Sequence, residues 1–227
     1  MTVGRGILWD MDGVLIDTGE FHFAAWSAVL ADYGIPFSRE LFRSTFGMNT
    51  PGTLALLLGD ALTPALADEI GERKEAAFRE EIRGQARPLP GVTDWLVHLQ
   101  RAGFRQAIAS SAPSENIAVL VQELHLRGYF AALVSGYARV GKPDPGLFLD
   151  TAQRLDVPPA RCVVVEDAVV GVIAARRAAM RCIAVTTTNP AEALAEADIV
   201  VERLDALPPD TFDRLVPANG MEPSMRS

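Results

Sequence analysis

Asp10 and Asp12 stand one residue apart behind the apolar run Gly6-Ile7-Leu8-Trp9. Side chains two apart on an extended chain share a face, so the pair can act on one atom. Glu166-Asp167 ends a second apolar run that opens at Cys162, with Gly171 behind it, a pattern suited to holding a hard cation. Ser110-Ser111 ends a third run, and Gly141-Lys142-Pro143 places an ammonium between two loop-forming residues. Two of the 21 basic residues are lysines, Lys74 and Lys142. A chain that prefers arginine for general charge keeps a lysine where a compact point charge is needed, which favours Lys142. Lys74, in Glu72-Arg73-Lys74-Glu75, reads as part of a solvated helix face. Plainer readings compete at each place. Asp10 and Asp12 could form a turn, Glu166-Asp167 could be a loop acid pair, and Ser110 could cap the next helix, a job for which Ser114 is a rival.

These residues need elements that bring them together. Gly6–Asp10 reads as a buried strand, and the residues from 19 to 84 read as helical. Phe23, Trp26, Leu30 and Tyr33 recur at helical spacing with Gly34 placed to end the helix, Ser38 can cap a second, and Thr63-Pro64 opens a third running toward Gly84. After Pro88-Leu89-Pro90-Gly91 the pattern alternates. Strands are expected at 106–110, 133–135, 162–166, 183–185 and 199–201, with helices at 94–101, 117–124, 146–155 and 172–179. Alternation of this kind predicts an α/β fold, a Rossmann-like parallel sheet covered on both faces. The expected organisation is a core of residues 1–17 and 87–216, a helical insertion over 18–86 able to move as a lid, and a disordered tail over 217–227. Ligands of such sheets bind beyond the carboxyl ends of the strands, where all the polar groups above would meet.

Composition narrows the partners. With 227 residues, 49% of them hydrophobic, the chain can bury a sizeable core. A net charge of −8 argues against nucleic acid as a partner. It also makes a phosphate-ester substrate awkward unless a metal ion and a local cation reverse the field. No apolar run reaches the roughly 18 residues needed to span a bilayer, so a cytoplasmic protein without a membrane partner, and a monomer, is expected. Cys162 and Cys182, each leading a short apolar run, read as buried strand residues in a reducing compartment.

Taken in order, Asp10-Met11-Asp12-Gly13-Val14-Leu15, Ser110, Lys142 and Glu166-Asp167 resemble the four motifs of the haloacid-dehalogenase-like superfamily. The helical insertion resembles the small α-helical cap of its β-phosphoglucomutase-like branch. The resemblance runs from about residue 5 to 205. It implies a magnesium-dependent phosphatase acting on a small phosphorylated metabolite. Asp10 would attack phosphorus and become an aspartyl-phosphate, while Asp12 would protonate the leaving alcohol and then activate water. Magnesium would sit on the carboxylates of Asp10 and Asp167 and the carbonyl of Asp12, with Glu166 as a ligand or as a partner through water. Ser110 and the N–H of Ser111 would bind phosphoryl oxygens, and Lys142 would offset their charge. Thr18 and His22 lie where relatives contact substrate, although His22, beside Phe21 and Phe23, could equally be packed in the helix.

Three rivals are weighed against that reading. A receiver-type phospho-acceptor domain also combines acids with a lysine, but it is about half this length, lacks the insertion, and has no second Asp after its acceptor. Dehalogenases lack that second acid too. Phosphonate cleavage would need a Schiff-base lysine in the cap, and Lys74 reads as too late and too exposed. A phosphosugar mutase of the β-phosphoglucomutase kind is the serious alternative, since Glu20–Trp26 is close to that enzyme's cap helix. Where mutases carry an arginine to grip the distal phosphate, this chain has Gly47-Met48-Asn49-Thr50-Pro51, with Arg43 out of register. Hydrolysis is therefore the expected reaction.

Overall fold

The computed structural model describes residues 4–218. Of the tail expected to be disordered, all but 217 and 218 lie outside the described residues. Strands β1 (Gly6–Trp9), β2 (Arg105–Ser110), β3 (Ala132–Ser135), β4 (Cys162–Glu166), β5 (Arg181–Val185) and β6 (Ile199–Val201) form one sheet in the order β3-β2-β1-β4-β5-β6. Every neighbouring pair is parallel. The expected strands all form, and the α/β reading holds.

Side-chain alternation explains why both faces are dry. Ile7 and Trp9 of β1 join Ile108, Val163, Val165 and Ile183 on one face, whereas Leu8 joins Ala107, Ala109, Val164 and Ala184 on the other. The first face is covered by α5 (Val92–Arg101), α6 (Ser114–Glu123) and α9 (Thr211–Leu215), the second by α7 (Gly146–Arg154) and α8 (Val169–Arg177). Cys162 and Cys182 are buried in the second layer as free thiols. Polar groups inside this core have partners: the indole of Trp9 donates to Gln106 Oε1 (3.1 Å), and Gln106 Nε2 donates to the Leu96 carbonyl (2.9 Å).

Between β1 and β2 the chain makes α1 (Gly19–Asp32), α2 (Arg39–Thr45), α3 (Thr50–Leu58) and α4 (Pro64–Ile82). Their starts follow capping chemistry. The side chains of Ser38, Asn49 and Thr63 accept from Leu41, Gly52 and Leu66 backbone N–H groups, and proline stands in the first turn of α3 and α4. Gly34, at φ 67°, follows the end of α1. These helices bury a small core of their own around Trp26, Val29, Leu30, Leu54 and Ile70. No helix among the described residues is long and apolar enough to cross a membrane.

Candidate active site

A parallel sheet aligns the carboxyl ends of its strands at one edge. Register makes this concrete: Trp9 pairs with Ile108 on one side and Val165 on the other, so Asp10 leaves the sheet beside Glu166. The Asp10 N–H donates to the Val165 carbonyl at 2.9 Å, which fixes the start of the loop that follows. Lys142 reaches the same place from the loop between β3 and α7. Its ammonium donates to Asp10 Oδ1 at 2.6 Å and to Glu166 Oε1. Glu166 Oε2 accepts from the N–H groups of Asp167 and Ala168, each at 2.9 Å, so both its oxygens are held by the chain itself. Asp167 Oδ2 accepts from Thr188 Oγ1, and the Asp167 carbonyl accepts from Asn189 Nδ2.

Carboxylate oxygens of Asp10, Glu166 and Asp167 all lie within 4.8 Å of one another, and all three residues are buried. Lys142 supplies a single positive charge against them. Burial first, then the charges of Glu166 and Asp12, pushes the Asp10 carboxyl up to about 8 despite the opposing pull of Lys142. Burial and the same acidic neighbours raise Asp167 as well. Lys142 is itself held above the ordinary lysine value, burial being outweighed by Asp10 and Glu166. A buried, all-oxygen donor set short of positive charge fits a hard divalent cation. Two glycines make the cluster possible. A Cβ on Gly13, whose φ is 81°, would lie 1.9 Å from Asp167 Oδ2, and one on Gly171 would lie 2.0 Å from the Glu166 carboxyl carbon.

Asp12 faces the helical block. Its Oδ1 accepts from Thr18 Oγ1 at 2.6 Å and lies 3.3 Å from His22 Nε2. His22 Nδ1 lies 3.0 Å from Lys74 Nζ. An ammonium can only donate, so Nδ1 is the acceptor and Nε2 carries the hydrogen that points at Asp12. Burial and the charge of Lys74 lower the His22 pKa, which keeps the ring neutral. Burial acts to raise Asp12, but its bonds to His22 and Thr18 outweigh that and hold its carboxyl below the ordinary value. His22 is also packed, its ring 4.0 Å from Phe78 and nearly parallel to it. The two sequence readings of His22 are thus compatible.

Lys74 is a correction. It is 4% exposed and not on a solvated face. Ile70, Lys74, Phe78 and Ile82 recur every four residues on the buried side of α4, whereas Glu72 and Arg73 face solvent. That spacing was present in the sequence, but the surrounding charges concealed it. Glu75 beside it is equally buried and was missed altogether; its Oε1 accepts from Lys74 Nζ (2.9 Å) and Thr50 Oγ1, its Oε2 from Asn116 Nδ2 (2.6 Å).

The serines divide. Ser110 is fully buried and its Oγ accepts from the Ala112 N–H at 3.1 Å, so it shapes the turn after β2. Neither it nor Ser114 caps α6, whose first turn has no side-chain cap. Ser111 borders the pocket and donates to the Gly47 carbonyl at 3.1 Å. Asn49, expected only as the place of a missing arginine, donates from Nδ2 to the carbonyls of Tyr137 (3.3 Å) and Arg139 (3.2 Å), in the loop leading to Lys142. Arg43 is exposed at the end of α2.

Between sheet edge and helices lies a pocket bordered by Asp10, Asp12, His22, Trp26, Phe42, Phe46, Met48, Thr50, Lys74, Glu75 and Ser111, with about 50 Å3 of free space. Acids close enough to hold a cation lie below this space, and Asp12 and a cover of helices border it. The chain is 32% identical over 212 residues to the β-phosphoglucomutase of Bacillus subtilis, covering 89% of this chain and 91% of that protein. It is 34% identical over 204 residues to a phosphorylated carbohydrates phosphatase of Thermotoga maritima, covering 86% and 92%. Among solved structures, CbbY from Rhodobacter sphaeroides, in complex with xylulose-(1,5)bisphosphate, superposes with a TM-score of 0.81 at 27% identity, over 89% of this chain and 96% of that one. The model of the haloacid dehalogenase-like hydrolases matches residues 5–179, from the first strand through α8, and the chain belongs to that family.

Proposed function

We propose that the protein is a phosphatase that hydrolyses a small phosphorylated metabolite through an aspartyl-phosphate on Asp10. The observation that supports this most is the buried Asp10–Lys142–Glu166–Asp167 cluster, of which Asp10 reaches the pocket beside Asp12. In the first step an Asp10 oxygen forms a bond to phosphorus as the bond to the leaving oxygen breaks, and Asp12, a carboxylate in the free protein that takes up a proton as the phosphate dianion enters, gives that oxygen the proton. In the second, water attacks phosphorus, Asp12 takes its proton, and inorganic phosphate leaves as Asp10 is restored. Thr18 and His22 both donate to Oδ1 of Asp12, which leaves Oδ2 for the travelling proton. Lys142 holds Asp10 in place and offsets charge on the phosphoryl oxygens. Backbone N–H groups after β2, at Ser111, would complete their cradle.

Asp10, Asp167 and the Asp12 carbonyl would hold magnesium, which supplies the positive charge that lets these acids coexist with an incoming dianion. Glu166, with both oxygens engaged by Lys142 and backbone N–H groups, fits a role one layer out, orienting the others. Residues 18–86 act as a cap over the core. The free space of about 50 Å3 is room for a few waters, which supports a cap that parts from the core to admit substrate.

A mutase is the second reading, favoured by the similarity to the Bacillus subtilis β-phosphoglucomutase. Against it stand Asn49 and Thr50, which bind the chain's own loop and Glu75. Incubating the purified protein and magnesium with a panel of phosphorylated metabolites, including β-glucose 1-phosphate with a bisphosphate primer, separates the two. Inorganic phosphate released in step with substrate loss supports hydrolysis. Stoichiometric glucose 6-phosphate with little free phosphate overturns it.

A further inference from the structure

We infer that Glu75 is a specificity-determining residue that turns away substrates carrying a second anionic group at the end remote from the reacting phosphate. The inference rests on the phosphatase reading and concerns the cap side of the same pocket. Glu75 sits on the buried face of α4, 5% exposed, and borders the pocket opposite the acids of the sheet edge.

Three donors surround its carboxylate: Thr50 Oγ1 and Lys74 Nζ on Oε1, and Asn116 Nδ2 on Oε2. Such a set stabilises the ionised form, and burial is outweighed by the charge of Lys74 and the hydrogen bonds of Thr50 and Lys74. A fixed negative charge therefore faces whatever the leaving group carries. The positive charge that a distal phosphate or carboxylate would need is already engaged. Among the described residues that border the pocket, Lys74 is the only lysine or arginine, and its ammonium is shared between Glu75 and His22 Nδ1. A second anion could reach it only by displacing Glu75, which would leave a buried carboxylate without its ion partner. A hydroxyl, by contrast, can donate to a carboxylate, whose two oxygens accept about four hydrogen bonds in all. Selection of this kind works by repulsion of the wrong ligand as much as by attraction of the right one.

Glu75 also touches the core, through Asn116 of α6, so a merely structural role has to be separated from a selective one. The test compares kcat/KM for a hexose 6-phosphate and the matching hexose 1,6-bisphosphate, in the wild type and in Glu75→Gln, with thermal melts to confirm that the variant is folded. The amide keeps the shape and one acceptor oxygen but removes the charge. The wild type is expected to favour the monophosphate by about tenfold or more, and Glu75→Gln to shrink that ratio by roughly tenfold, mainly through KM for the bisphosphate. An equal loss on both substrates, leaving the ratio unchanged, assigns Glu75 to holding the cap and overturns the inference. So does a wild type that does not discriminate. Those results leave the phosphatase reading standing, whereas a wild type that releases phosphate from neither hexose phosphate nor any member of the metabolite panel removes both.

Discussion

The sheet edge and the helical wall face each other across one pocket, and they are built by different rules. At the sheet edge the acids and Ser110 come at or just after the end of a strand, Lys142 arrives from the β3–α7 loop, and parallel pairing alone brings Asp10, Ser110 and Glu166 to one line. On the helical wall, His22, Thr50, Lys74 and Glu75 come from three helices whose mutual placement depends on how Trp26, Leu30, Leu54 and Ile70 pack. The first region carries charges that answer one another within a buried cluster. The second mixes aromatic surface with one ion pair and several hydroxyls. In the proposed function, chemistry would sit where backbone hydrogen bonding fixes geometry, and selection where side-chain packing does, which can change without moving the acids.

The comparison breaks most sharply at Asp10. Asp10→Asn is expected to lower kcat by roughly 10⁴-fold or more with an unchanged circular dichroism spectrum, because an amide cannot attack phosphorus. Retained phosphate release would move the nucleophile elsewhere. Removing a cation ligand comes next. Asp167→Ala should cut activity by about 10³-fold and weaken magnesium binding in calorimetry, whereas Glu166→Ala, one layer out, should cost about 10–100-fold. Full activity after treatment with a chelator would count against the metal reading. Lys142→Ala should lose about 10²–10³-fold in kcat, and Lys142→Arg should recover little of it. A broad guanidinium does not fit the gap between Asp10 and Glu166 that the ammonium spans. An arginine variant at wild-type rate would show that charge alone matters there.

The smallest effect lies behind the sheet. Burial pushes the Cys162 thiol up to about 12 and raises Cys182 further above its ordinary value than neighbouring charges alone would. Since only the thiolate reacts, both should label with a maleimide at pH 7.5 at least about 10³-fold more slowly than a free cysteine, with no loss of activity. Rapid labelling of the native protein would mean that the α7–α8 face of the sheet opens far more often than its packing implies.

The sheet was legible because its signals are local. Short apolar runs ended in polar residues; β2, β3 and β5 start one or two residues earlier than expected and β1 stops one residue short of Asp10, because hydrogen bonding rather than hydropathy sets the limit. Helix starts at Ser38 and Thr63 were readable for the same reason, a cap being a matter of neighbouring residues. What escaped depends on contacts between residues far apart in the chain. Glu75 is separated from Asn116 by 41 positions, and Thr188 from Asp167 by 21, so nothing near either announces its partner. Lys74 was different, since its place in the Ile70–Phe78–Ile82 stripe was visible. Charge was given more weight than period there, although a lysine can lie in an apolar stripe when its ammonium finds an acceptor and a carboxylate.

The narrow pocket also bears on the order of events in time. Helices and core are tied across the pocket by Asn49 to the carbonyls of Tyr137 and Arg139, Ser111 to Gly47, and Glu75 and Arg79 to Asn116. Under the proposed function, capture would be a gated encounter, its ceiling set by how often those bonds let go together and not by diffusion. Under the proposed mechanism the same closure would meter water, since the molecule that attacks the aspartyl-phosphate would be drawn from the little the pocket holds.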